Sequence, residues 1–290
     1  DGKSYTATSP LDHDIKLGTY VDASQAAVAK AVAAARRAFE IWGRMKWRDR
    51  IVAMRRVARA LDRAKYDLAM ATLYEAGKSR LEALGETEEV SALIDYYCDQ
   101  MEKRGGFIEP PTNAPGETAQ VLLRPIGVFA VIAPFNYPVA LSVGMAGAAL
   151  AAGNTVVFKP SPNSGLTAGL LVRAIEEADL PAGAINMICG EASGPLLVDA
   201  QGVDGFAFTG SHAVGMEILR KAARGPFMRP VLGEMGGKNP AYVSHSADVD
   251  VAVEGVAKSA FNFQGQKCSA CSVAFVHERV YDAFMAALVK

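Results

Sequence analysis

Four cysteines in 290 residues are too few to staple a secreted scaffold, and they point to a reducing compartment, here expected to be the cytoplasm. The four histidines, His13, His212, His245 and His277, are scattered, so the Cys268-x-x-Cys271 pair lacks the second half of a zinc site and no metal is expected. Charge of one sign is not in excess: 30 Lys+Arg stand against 31 Asp+Glu, which excludes broad attraction to nucleic acid or an anionic membrane. With 27 glycines and 14 prolines the chain is neither collagen-like nor of low complexity. The opening residues, DGKSY, hold neither an initiator methionine nor a basic-then-apolar signal segment, and the start is expected to be trimmed.

Half of the residues are apolar, which suits an ordered protein of about two domains. No charged residue occurs between Pro125 and Phe158, a run long enough to suggest a membrane span. Pro134, Asn136 and Pro138 interrupt it early and Gly153-Asn154 late, so it reads instead as buried strand, helix and strand.

Positions 1–124 hold 37 of the 61 charged residues, so this part is expected to be helical and solvent-facing. In 22–42, Val28, Ala31, Val32, Ala35, Phe39 and Trp42 recur at helical spacing, with Asp22 or Ser24 as cap. A second amphipathic helix carries Ile51, Met54, Ala58, Leu61 and Leu68 and ends at Gly77; a third covers 81–103 and stops at Gly105-Gly106. The proline-rich segment 107–124 suits an arm or hairpin that ends in a short apolar strand. From Gly127, the strands GVFAVIAP, TVVFKP, INMIC, GFAFTG and PVLGE alternate with helices from Pro138, from about Gly165, near 193 and from Ser211. Five strands with four crossover helices predict an α/β fold with a doubly wound parallel sheet, whose ligands bind at the carboxyl ends of the strands.

On that assignment Asn136, Lys159, Gly210-Ser211 and Glu234 all fall just beyond strand ends. The run FTGSHAVG, from Phe208 to Gly215, joins a strand, a glycine turn and a helix start. It admits two readings: helix N–H groups facing a phosphate, or Ser211 acting simply as an N-cap. Cys268 follows Lys267 beside a glycine turn, which suits a reactive thiolate, while a buried inert thiol is the plainer reading.

Taken in order, PFNYP (134–138), FKPSP (158–162), FTGS (208–211), GEMGGKNP (233–240) and FNFQGQKCSA (261–270) resemble the aldehyde dehydrogenase superfamily, as does the 34-residue step from Glu234 to Cys268. The resemblance implies a Rossmann-like cofactor-binding domain over 1–106 and 126–232, an oligomerisation arm over 107–125 and the start of a catalytic domain over 233–290. It implies Cys268 as the nucleophile that attacks an aldehyde, Asn136 as oxyanion donor together with the Cys268 N–H, and Glu234 as the base that activates water. NAD or NADP would be held by Lys159 at the adenosine ribose, by Ser211 near the pyrophosphate, by Gly210 and Gly215 beneath it, and by Pro134, Phe135, Pro160 and Ser161. Many NAD-preferring members carry glutamate three positions after the lysine; here Pro162 stands there, which removes a charge that would repel a 2′-phosphate.

EMGGKNP and GQKCSACS further resemble the 1-pyrroline-5-carboxylate dehydrogenase branch, which oxidises glutamate γ-semialdehyde, with Ser269 as a donor to the substrate carboxylate. Other semialdehyde or broad-range aldehyde dehydrogenases share most of these motifs, and a non-catalytic relative is the alternative of a different class. The resemblance implies a homodimer or larger homo-oligomer. It also implies a longer catalytic domain than the 22 residues that follow Cys268, so truncation and poor oxidation by this chain alone are expected.

Overall fold

The computed structural model describes residues 2–290. They divide into two compact units, one running up to Glu234 and the other spanning Met235–Lys290. The chain enters through an antiparallel hairpin that the sequence reading does not anticipate, β1 (Ser4–Thr8) against β2 (Lys16–Val21). Helix α1 (Gln25–Trp42) follows, with Ser24 accepting the Ala27 N–H as its cap.

The single helix expected over 51–77 is instead two, α2 (Trp47–Arg63) and α3 (Lys65–Ala76). The apolar spacing runs through the break, but Ala64, at ψ 0°, leaves the helical path and α3 packs as a separate element. Helix α4 (Arg80–Lys103) starts at a capping box in which Ser79 and Glu82 satisfy each other's backbone N–H groups. Beyond it, β3 (Thr112–Ala114) and β4 (Glu117–Ala119) form an exposed hairpin turned at Gly116. The apolar strand expected at its end is only a bridge between Ile108 and Leu122.

The remainder of the first unit alternates strand and helix: β5 (Val128–Ile132), α5 (Ala140–Ala152), β6 (Thr155–Lys159), α6 (Gly165–Glu176), β7 (Ile185–Met187), α7 (Ser193–Asp199), β8 (Gly205–Gly210), α8 (His212–Ala222) and β9 (Val231–Met235). The five strands lie in the order β7-β6-β5-β8-β9, with β5 parallel to both β6 and β8. The chain therefore winds outward from β5 through β6 to β7 and returns on the other side of β5. Helices α5 and α6 are backed by α2, α3 and α4, whereas α1 packs on β5, β6, β7 and α7, with α8 beside α7. Strands β5 and β6 are buried along their whole length, which explains their unbroken apolar character. The uncharged run 125–158 is thus two buried strands and a 13-residue helix, and among the described residues no helix is long and apolar enough to cross a membrane.

Helix α5 is gripped at both ends by the helical layer. At its C-terminus the buried Arg50 donates from Nε to the Ala151 carbonyl (2.9 Å) and from Nη1 to that of Met45 (2.9 Å), with a longer contact to Ala152 (3.4 Å). At its N-terminus a carboxylate oxygen of Glu86 accepts the N–H groups of Val139 (2.8 Å) and Ala140 (3.0 Å). A cation at the carbonyl end and an anion at the N–H end both complement the helix dipole.

In the second unit, β10 (Asn239–Val243) and β11 (Cys271–Val276) pair in parallel and carry α9 (Val249–Phe261) and α10 (Glu278–Leu288). Its buried apolar side chains are Val243, Phe263 and Phe284.

Candidate functional site

The direction of winding reverses at β5, between β6 on one side and β8 on the other, and such a switch point opens a ligand crevice at the carboxyl ends of the strands. Three helices of eight residues or more begin beyond those ends, and each begins with free N–H groups that attract anions. Two are already occupied. Glu86 caps α5, and Glu75, buried on α3, caps α6 by accepting the Leu166 and Thr167 N–H groups at 2.7 Å each. Burial pushes both carboxyls above the usual glutamate range, opposed at Glu86 by Lys78 and at Glu75 by the α6 N–H groups.

Helix α8 has no carboxylate at its start. Ser211 accepts the Val214 N–H through its side chain (3.4 Å), so it is an N-cap, yet the His212 and Ala213 N–H groups keep no partner among the described residues. The two readings of FTGSHAVG are therefore compatible: the cap orders the turn, and the remaining donors face outward at the one long crossover helix open to a phosphate. Gly210 closes β8, and Gly215, buried one turn into α8, donates to the Ser211 carbonyl.

Lys159 lies at the end of β6 and is buried. Desolvation pulls its ammonium below the usual lysine range, against the opposing fields of Glu191, Cys189 and Asp22. It makes no hydrogen bond among the described residues, so a cation already stripped of water waits beside the crevice. Pro160 is buried after it, and Ser161 caps the short turn Pro162–Ser164 by accepting the Asn163 N–H. A buried cation at the end of β6 and an open helix N-terminus after β8, on the two strands that flank β5, have the chemistry to accept a dinucleotide.

Asn136 sits in the connection between β5 and α5, half-buried, with Pro134 before it and the more exposed Phe135 beside it. Three placements differ from expectation. Lys159 and Gly210 are the last residues of their strands, because the ladder continues through the Ile132–Lys159 pair and β8 through Gly210. Glu234 lies within β9 and is exposed there, since the extended VLGEM run continues one residue past it.

In the second unit Cys268 is exposed at the tip of a turn that the preceding residues hold under strain. Phe263 and Gln264 adopt the left-handed region at φ 52° and 54°, followed by Gly265 at 68°, a conformation costing roughly 1–3 kcal/mol at each non-glycine. Asn239 clasps the turn from β10: its amide donates to the carbonyls of Cys268 (2.6 Å) and Ala270 (3.1 Å). The Cys268 N–H donates to nothing among the described residues. Ser269 is exposed next to it, and Cys271 opens β11 with its N–H on the Ser259 hydroxyl (3.2 Å).

The sequence reading assigned no role to Glu75, Glu86 or Asn239. Asn239 carried a usable signal, a hydrogen-bonding side chain directly before a proline at a strand start. Glu75 and Glu86 carried none, because a carboxylate on an amphipathic helix looks like a solvated one.

A family model described as "Aldehyde dehydrogenase family" matches residues 1–290. A 1-pyrroline-5-carboxylate dehydrogenase of Staphylococcus saprophyticus is 38% identical over 286 residues, covering 96% of this chain and 55% of that protein. The chain thus spans about half the length of the curated relatives it matches. Among solved structures, a Thermus 1-pyrroline-5-carboxylate dehydrogenase with bound NAD superposes with a TM-score of 0.94 at 30% identity, over 100% of this chain and 57% of that one. An NADP-dependent glyceraldehyde-3-phosphate dehydrogenase of Bacillus halodurans, complexed with NADP, gives 0.91 at 31% identity, over 99% of this chain and 60% of that one.

Proposed function

Because the chain belongs to the aldehyde dehydrogenase family, we propose that it serves the NAD(P)-dependent oxidation of an aldehyde to a carboxylic acid, with L-glutamate γ-semialdehyde as substrate and L-glutamate as product. The observation that carries the reading is the Cys268 turn: an exposed thiol whose own N–H is unengaged and whose carbonyl is tied back by Asn239. Relatives named 1-pyrroline-5-carboxylate dehydrogenase at 36–38% identity support the choice of substrate.

The Cys268 thiolate attacks the aldehyde carbon, forming a C–S bond as the C=O electron pair moves onto oxygen. That oxyanion is stabilised by the Cys268 N–H and the Asn136 side-chain amide, and one such donor is typically worth about 10²-fold or more in rate. The nicotinamide cofactor, when bound, supplies the acceptor for the hydride whose loss converts the adduct into a thioester. Glu234 then takes a proton from water; the water oxygen adds to the thioester carbon, the C–S bond breaks, and the carboxylic acid leaves as Cys268 is restored. Ser269 is assigned to the substrate carboxylate.

The dinucleotide is assigned to Lys159 and to the Gly210–Gly215 turn, with Pro134, Phe135, Pro160 and Ser161 along the crevice. Two features pull its selectivity in opposite directions: Pro162 withdraws a carboxylate from the ribose position, while Glu191 and Asp22 place negative charge near Lys159, whose pKa desolvation nevertheless lowers. Both NAD and NADP are therefore proposed as cofactors. We also assign 1–106 and 126–232 to cofactor binding, 107–125, with its exposed β3–β4 hairpin, to homo-oligomer assembly, 233–290 to catalysis, and the cytoplasm as the working compartment.

Two assays on one set of variants test the reading. Ester hydrolysis requires Cys268, Asn136 and Glu234 but no hydride acceptor, whereas semialdehyde oxidation requires the cofactor as well. Cys268→Ala should abolish both, and Lys159→Met should impair oxidation alone. Undiminished ester hydrolysis by Cys268→Ala would overturn the assignment of the nucleophile.

A further inference from the structure

Asn136 can act as a donor only if the connection between β5 and α5, residues 133–139, holds its amide in place. That connection is clamped from the helical layer. Glu86 accepts the Val139 and Ala140 N–H groups through Oε1, and its other oxygen, Oε2, meets Lys78 Nζ at 2.5 Å. Lys78 also lies 3.6 Å from the centre of the Tyr137 ring, the residue directly after Asn136. Both charged side chains are wholly buried. A buried ion pair is a weak source of stability, since apolar residues of similar size often serve as well, so its retention asks for another reason.

We propose that Glu86 is a positioning residue for acyl transfer: with Lys78 as its counter-ion, it fixes the Tyr137–Ala140 backbone and through it the aim of the Asn136 amide. The proposal rests on the reading of Asn136 as oxyanion donor. Glu86 never meets the substrate. Its carboxylate does for this connection what a bound anion does at other helix N-termini, holding the first turn of α5 and the residues leading into it.

The test uses a paired substitution that leaves no orphaned charge, Lys78→Met with Glu86→Leu, and a rescue pair, Lys78→Met with Glu86→Gln, which restores an acceptor oxygen alone. Three quantities are measured on the whole chain. Acylation of Cys268 by 4-nitrophenyl acetate builds a carbonyl oxyanion; alkylation by iodoacetamide does not; amide hydrogen exchange at Val139 and Ala140 reports the clamp without any chemistry. In the leucine pair, acylation should fall about tenfold, as expected for a misaimed donor, with alkylation within about twofold and faster exchange at both amides. The glutamine pair should recover most of the acylation rate. Added to Asn136→Ala, the leucine pair should cost nothing more. Equal falls in acylation and alkylation, unchanged exchange, or a full additional fall on the Asn136→Ala background would each overturn the proposal. Unchanged acylation in Asn136→Ala alone would instead refute the donor role of Asn136, and the exchange data would still decide whether Glu86 holds the connection.

Discussion

Lys159→Met should weaken dinucleotide binding while making the protein more stable when no ligand is present, and the opposite signs follow from one structural fact. The ammonium is buried at the end of β6, depressed in pKa by desolvation and without a hydrogen bond among the described residues. Methionine keeps the apolar stem and removes the unsolvated charge. Relief of that desolvation should stabilise the free protein by about 1 kcal/mol or more, reduced by the lost attraction to Glu191 and Asp22. Binding moves the other way. A hydrogen bond to a charged group is worth about 1.5–3 kcal/mol, so its loss should raise Kd for NAD and for NADP roughly 10- to 100-fold. Urea unfolding of the free protein reads the first effect and isothermal titration calorimetry the second. A variant that is less stable and binds both dinucleotides as before would refute the reasoning, because Lys159 would then be a structural residue.

Arg50→Met should strip the carbonyls of Ala151 and Met45 of their donors and cost about 2–4 kcal/mol, seen as a fall of roughly 1 M in the urea midpoint; a fall below about 0.3 M would mean that burying the guanidinium offsets what its bonds contribute. Alkaline stability should decline in a defined window. Burial raises Tyr5 and Tyr20 from 10.0 to about 12 and Cys98 from 9.0 to about 11. The folded state keeps these protons while the unfolded state loses them, so stability is complete below pH 9 and falls as pH rises toward 12. Tyr5→Phe with Tyr20→Phe should flatten the part of the fall above pH 10, and an unchanged slope would contradict the assignment.

Legibility in the sequence followed how local each physical cause is. Strands β5, β6 and β8 are visible because two-sided burial writes itself as apolar runs, whereas the partly buried β7 and the largely exposed β9 are legible from the glycine and proline that bound the helices between them. Ser24, beside Asp22, and Ser211 could be named as candidate caps, since capping acts within three residues. The motifs around Asn136, Lys159, Ser211, Glu234 and Cys268 could be recognised together only through their order. The break at Ala64 was hidden because the apolar stripe of α2 continues into α3. The β1–β2 hairpin was hidden because its strands are largely exposed and mixed in polarity. Glu75 and Glu86 owe their roles to helices far away in sequence, and the left-handed Phe263 and Gln264 contradict their own backbone preferences.

If Cys268 carries the acyl group, Glu234→Gln should stop the reaction at that point, because the base that activates water for deacylation is gone. Incubated with 4-nitrophenyl acetate, this variant should gain the mass of one acetyl group and release a single equivalent of nitrophenol in a burst, with peptide mapping placing the group on Cys268. Continued turnover without an accumulating adduct, or an acetyl group found on Cys271, Cys189 or Cys98 instead, would contradict the account.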